Sequence, residues 1–396
     1  MRLVIGRYMA AAALAALSFS PALRAQDFKI GSRPVQVHGF ASQGYLYSNQ
    51  NNYLTMYTSH GSPAFTEGSL NLSMPVTDKF RIAAQGYDRK MGSIDDFRPS
   101  LDFAYGDFKV ARWLGFRGGK VKTVMGLYND TQDMAFLYPW ALLPQGVYPT
   151  DLRTTFIAHT GGDVYGRVSL KNAGKLEYTF YGGLRSYDDR EGYYAYTQSL
   201  SLKITSISGR IIGGDLRWLP VNGLTLGVSR ADLTQDRAVS SAIGTITQST
   251  KMNRPWVGYA DYARGKWGAS FEYRDMNDIK TIRIPLGTPK DQDKSTKPWF
   301  ASASYRATPK LQLGVYHSSV TVTAPANPKD TASNHIYDEV GSARYDINRF
   351  WDVKAEGHFI EGYGDTLQAQ GFYSNYNPQG LKPRTNLLML RATFKF

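Results

Sequence analysis

The 396-residue sequence contains no cysteine. Disulfide scaffolding, thiolate nucleophiles and cysteine-based metal sites are therefore excluded. Nor does it hold the run of about 18 apolar residues that a membrane-spanning helix requires. Its longest apolar-looking stretch, MAFLYPWALLP (Met134–Pro144), is broken by Pro139. Catalytic signatures are missing as well. The six histidines (38, 60, 159, 317, 335 and 358) form no HExxH, and there is neither a GxSxG nor a phosphate-binding glycine loop ending in Lys-Ser/Thr. Without a nucleophile and an oriented base, the expectation is a chain that is not an enzyme, with no cofactor and no metal. Asp291 and Asp293 in DQDKST hint at calcium, but Thr296 stands where an EF-hand loop carries Gly.

Acid is the scarcer charge, with 33 Asp and Glu against 46 Lys and Arg, a net +13. Arg2, Arg7 and Arg24 lie in the first 25 residues, which contain no acid, so from Gln26 onward the balance is 43 to 33, a net +10. That excess favours anionic partners. No nucleic-acid-binding module accompanies it, so nucleic acid is not an expected partner. The opening residues read as a secretory signal: a basic head at Arg2 and Arg7, an apolar core Met9–Phe19, and the small residue Ala25 near the cut. Residues 1–25 are expected to be cleaved, leaving 26–396 as one domain.

What is abundant is Tyr (27) and Gly (38), a composition suited to many short strands and turns. The chain ends on LLMLRATFKF, where Leu388, Leu390, Ala392, Phe394 and Phe396 alternate with polar Arg391, Thr393 and Lys395. A period of two is a strand with one apolar and one wet face. GDVYGRVSLK (Gly162–Lys171) repeats the pattern, turns at Asn172-Ala173-Gly174, and returns through KLEYTFYGGLR. Such strands of about ten residues match a tilted crossing of a hydrocarbon core. The pattern recurs from VQVHGFASQGYLY to the C-terminus, for sixteen strands.

Connections alternate between short turns and long segments at about 48–63, 90–99, 128–161, 186–209, 235–253, 276–297, 322–334 and 361–383. Every long segment then falls at one end, as in an all-β, transmembrane, antiparallel up-and-down barrel with short periplasmic turns and long extracellular loops. Aromatics sort to the strand ends: Phe80, Trp218, Trp267, Tyr305, Trp351 and Phe396 at one, Tyr273, Trp299 and Phe359 at the other. A bacterial outer membrane is the expected location.

If the apolar face meets lipid, its neighbours line a wet lumen. The inward set then includes Arg81, Gln85, Arg89, Lys120, Lys122, Arg167, Lys175, Arg185, Arg217, Lys354 and Arg391, against Asp102, Glu177, Asp215, Glu272 and Glu356. His38 and His358 read as lumen or rim polar residues. Lys120, Lys122, Arg167, Arg217 and Arg391, expected near mid-height, with Arg81, are the candidate selectivity residues. A positive excess there lowers the cost of admitting an anion.

HGFASQGYLYS (38–48), GKVKTVMGLYND (119–130), GGDVYGR (161–167) and the terminal strand resemble a Gram-negative outer-membrane porin over essentially the whole mature chain. The resemblance implies a passive channel for small hydrophilic solutes, a homotrimer in lipid and lipopolysaccharide, and Phe396 as a signal to the barrel-assembly machinery. It also implies that the third outer loop, 128–161, folds inward as a constriction. That loop carries Asp130, Asp133 and Asp151 against Arg153, with a large apolar section. Two other readings stand beside the channel: a barrel plugged by this loop, acting as adhesin or surface receptor, and a substrate-specific channel whose Tyr-rich loops (EGYYAY, GFYSNYNP) stack sugars or aromatic acids.

Overall fold

The computed structural model describes residues 28–31, 33–252, 255–285, 287–323, 331–364 and 371–396. The expected signal peptide lies outside them. The strands are β1 (Phe28–Ile30), β2 (Arg33–Ser48), β3 (Ser62–Pro75), β4 (Phe80–Met91), β5 (Ser100–Ala111), β6 (Leu114–Lys122), β7 (Ala158–Ser169), β8 (Lys175–Arg185), β9 (Lys203–Leu219) and β10 (Leu224–Ser241). They continue with β11 (Gly244–Met252), β12 (Trp256–Arg264), β13 (Trp267–Arg283), β14 (Lys290–Thr296), β15 (Trp299–Arg306), β16 (Leu311–Thr323), β17 (His335–Asp346), β18 (Trp351–Glu361) and β19 (Arg384–Lys395).

Each strand pairs antiparallel with its neighbours, and β19 closes on β2 with Leu390 opposite Tyr45 and Arg391 opposite Gly44. β11 and β12 together fill one wall position between β10 and β13, and β14 and β15 fill another between β13 and β16. β1 only folds back on the start of β2. The wall is therefore a closed barrel of sixteen strands.

Alternation along each strand separates two solvents. Leu70, Leu72, Phe180, Leu184, Ile212, Val315, Phe359, Leu388 and Leu390 point outward and are exposed, whereas Glu272, Asp352, Lys354, Arg391 and Thr393 point inward and are buried. A water-soluble fold does the reverse. Around this belt the rings pair at the strand ends, as Trp267 with Tyr305 (4.5 Å) and Trp351 with Phe394 (5.0 Å) at one rim and Trp256 with Tyr273 (5.3 Å) at the other. The terminal strand keeps its expected face: Leu388 and Leu390 are outward, and the Phe396 backbone exchanges hydrogen bonds with Gly39 (3.0 and 3.2 Å).

Short turns occupy one end, and Gly174 (φ +86°) and Gly265 (φ +64°) supply the left-handed backbone that two of them need. The opposite end differs from expectation in two places. The described residues of 235–253 and 276–297 are largely ladder rather than loop, because β10 runs to Ser241 against β11 and β13 runs to Arg283 against β11 and β14. Above the lipid both faces of a strand are wet, so these extensions carry no hydrophobic alternation by which to recognise them. The DQDKST stretch belongs to β14, with Thr281 Oγ1 donating to Asp291 across the ladder (2.7 Å).

Candidate functional site

Residues 123–157, between β6 and β7, enter the barrel rather than standing above it. The segment starts against the β9–β13 wall. Gly126 N donates to Ser229 Oγ (2.9 Å), Leu127 N to Glu272 (2.8 Å) and Tyr128 OH to Ser270 (2.9 Å), while Arg217 donates to the Gly126 carbonyl (3.1 Å). It then crosses to β17–β19, whose side chains grip its main chain. Lys354 donates to the carbonyls of Ala135 (2.5 Å) and Trp140 (3.0 Å), Arg344 to those of Phe136 (2.6 Å) and Tyr138 (3.0 Å), and Arg391 to that of Ala141 (2.9 Å). Glu356 accepts from the Ala141 and Leu142 amides (2.6 and 3.2 Å). Behind it, His358 sits between Glu356 (3.0 Å) and Asp338 (2.9 Å). A loop has few partners for its own backbone groups, and buried ones must be satisfied; here charged wall residues satisfy them.

The acids and the arginine of the constriction loop are distributed among these contacts. Asp133 is buried against Lys122 (2.8 Å), Gln85 (2.6 Å) and Arg153 (3.6 Å). Arg153 binds both carboxylate oxygens of Asp102 and lies 3.7 Å from the Tyr87 ring centre. Asp130 is half-buried, 4.0 Å from Arg217. Asp151 accepts from Tyr373 OH (2.7 Å) and Gly371 N (3.3 Å), joining this loop to the segment 371–383. Glu191, before helix Gly192–Ser199, accepts from Thr155 N (2.9 Å) and Oγ1 (2.5 Å). Leu54, Met56, Leu142, Leu152, Tyr196, Phe372 and Met389 form one apolar cluster where these segments meet.

Burial pushes the carboxyls of Asp151 and Glu191 up, each to about 7. A carboxyl raised by folding contributes its stabilisation at pH values below its unfolded range and loses it as pH climbs through the raised value. Loop packing should therefore loosen as pH climbs from about 4 to about 7. The expected readout is a mean single-channel current that rises over that interval in the native chain and is flat in Asp151→Asn/Glu191→Gln; a current that falls with pH contradicts it.

The candidate selectivity residues occupy different settings. Arg217 is inward, tied to Asp215 (2.9 Å) and Tyr259 OH (2.9 Å). Arg391 is inward and buried, bound to Glu67 as well as to the loop. Arg81 is inward by register, at the exposed short-turn end. Arg167 is inward too, but it pairs with Glu177 beside the turn at 170–174, well below mid-height. Lys120 is a correction. Arg117 and Val121 point into the barrel, so Lys120, opposite Ala104 and Thr160, takes the outward position, where Nζ donates to the Leu101 carbonyl (2.6 Å). The preceding Gly118-Gly119 has no side chains to set the phase. Lys122, of the same parity, turns in to Asp133 because β6 ends there.

Two cavities flank the loop. One spans about 1260 Å³, part of it open to solvent, between the loop and the β8–β14 wall, and the other about 430 Å³, also partly open, against β3 and β19. Gln132 and Tyr148 line both and stand at their junction. The smaller holds Glu67, Arg153 and Arg391; the larger holds Arg185, Arg237, Arg274 and Lys280 with the single acid Asp278. Sequence periodicity identified Arg185 as inward but missed Arg237 and Lys280, which lie in the segments 235–253 and 276–297 read as loop, and Arg274, which shares the parity of inward Glu272 in a stretch read as strand.

No protein-family model matches the chain, and no curated protein matches it. Solved outer-membrane proteins share its fold. OmpT of Vibrio cholerae, folded in vitro, superposes with a TM-score of 0.58 at 10% identity over 94% of this chain and 100% of its own; OmpT is also known in a trimer form. The outer membrane channel DcaP of Acinetobacter baumannii gives 0.54 at 10% identity over 93% and 99%. The anion-selective porin from Comamonas acidovorans gives 0.54 at 11% identity over 92% and 100%.

Proposed function

We propose that this chain is a channel of a Gram-negative outer membrane through which small hydrophilic solutes diffuse passively, with a weak preference for anions. The observation that carries the proposal is the division of a polar, sixteen-strand lumen by one inward loop into two cavities that meet at Gln132 and Tyr148. Apolar side chains facing outward place the wall in lipid, and the loop narrows the water-filled interior without replacing it. Cations outnumber acids in both cavities, which lowers the cost of bringing in a negative solute.

Arg391 and Arg153 act on the narrow cavity directly. Arg217, Lys122 and Arg81 contribute to the field around it, and Arg167 to the mouth at the short-turn end. The fold shared with an anion-selective porin, and with a protein known as a trimer, supports the same reading of selectivity and a homotrimer in lipid and lipopolysaccharide. Phe396, anchored at the barrel seam, serves the assembly machinery as the terminal aromatic. A sealed barrel acting as surface receptor is the competing reading, and the apolar cluster joining residues 54, 142, 196 and 372 favours it. A salt gradient across a planar bilayer distinguishes the two. The channel reading expects a modest reversal potential on the anion side; a cation-side potential contradicts the selectivity, and absence of current contradicts the channel.

A further inference from the structure

The larger cavity holds a second, more specific feature. Arg185 is more than nine-tenths buried, yet neither its Nε nor its Nη2 has a hydrogen-bond partner. Its guanidinium lies 5.0 Å from the Phe156 ring centre and 5.5 Å from that of Tyr187. Arg274, equally buried, donates Nε to Glu272 (2.7 Å) and stacks 4.6 Å from Tyr148, leaving Nη2 without a partner. Arg237 bonds Gln248 through Nη2 (2.6 Å) and leaves Nε without one. A desolvated cationic donor without an acceptor is costly, and three converge on one cleft. Between them the lining is apolar: Met125, Leu152, Leu233, Met252, Val257 and Met276.

We propose that this cleft is a binding site for a small organic anion, a carboxylate on a compact apolar body, with Arg185, Arg237 and Arg274 taking the carboxylate and the methionine-rich floor taking the body. This deepens the channel reading and rests on it: the site is the outer vestibule through which such a solute is drawn before it meets Tyr148. Planar guanidinium groups match a carboxylate by paired hydrogen bonds. Flexible thioethers accept apolar bodies of varied shape. A simple inorganic anion would leave that floor empty, and a neutral analogue would leave the guanidinium donors unanswered.

The test is calorimetric titration of the purified full chain in detergent with benzoate, benzamide and inorganic phosphate, alongside chloride current in planar bilayers with and without benzoate. Benzoate should bind at least about tenfold more tightly than either comparison ligand, and Arg185→Gln should weaken it by about tenfold, the scale of one charge-assisted contact. Arg237→Gln should do likewise, which keeps the test intact if Arg185→Gln fails to fold. A β-rich circular dichroism spectrum and the native chain's electrophoretic migration certify that each variant is folded. Equal binding of benzoate and phosphate, or benzoate binding unchanged in correctly folded Arg185→Gln, overturns the proposal. Chloride steps without benzoate binding or block overturn the site and leave the channel standing. Benzoate binding without current upholds the site and removes the channel.

Discussion

Replacing Arg153 by alanine is expected to release the constriction loop and raise the single-channel conductance, with the largest stability loss of any single substitution at the site. Arg153, a residue of the loop itself, is buried and holds both oxygens of Asp102 while lying 3.6 Å from Asp133. Without it, Asp133 keeps Lys122 and Gln85, but Asp102 keeps only the Gln85 amide (2.9 Å). Removing one partner from a buried ion pair costs about 3–5 kcal/mol, because the remaining charge is left desolvated. That cost falls on the loop's packing rather than on the strand ladder, so the barrel should still form and migrate as a folded species. Arg153→Lys keeps the charge but loses the two-pronged geometry and should lie between. Thermal unfolding and single-channel recording check both variants. A native conductance in Arg153→Ala would mean that this ion pair does not position the loop.

The second large effect concerns the loop itself. Exchanging Ala135–Val147 for a short Gly-Ser linker should at least roughly double the conductance and strengthen the anion preference, since pore width and lining charge set both. The reason lies in the partners left behind. Lys354, Arg344 and Arg391 spend donors on the carbonyls of residues 135–141, while Glu356 alone accepts from the loop's amides at that wall. Removal frees the donors of three cations and the acceptor of one carboxylate, while Arg344 keeps Asp346, Lys354 keeps Asp352 and Arg391 keeps Glu67. Conductance and reversal potential of the exchanged chain measure it. A wider pore with a cation-side shift would show that the acids, not these basic residues, govern the field.

Much of the wall was legible in the chain because lipid imposes alternation. Leu388, Leu390, Val164, Val168 and Phe180 announce their face one residue at a time, and their neighbours follow by parity. Where lipid ends, the signal ends. Thr245–Met252 and Lys290–Thr296 pair as strands but meet water on both sides, so hydropathy reads them as loop. Lys120 was misphased across two glycines that carry no pattern. The inward apolar residues Leu46, Val121, Leu233 and Met389 break the expected polar lining, and each is buried inside the barrel. Together with the apolar stretch 134–144, they were the available sign that the loop packs against the wall. The grip on the loop's carbonyls was not legible. A hydrogen bond from Lys354 to Trp140 joins residues 214 apart in sequence and depends on no periodicity.

In the proposed channel, water occupies the interior of this barrel and a single loop narrows it. Recording the purified, unaltered chain in a planar bilayer puts this to the test. Discrete, long-lived conductance steps are the predicted result. A chain that inserts and folds as a barrel yet passes no current would contradict it.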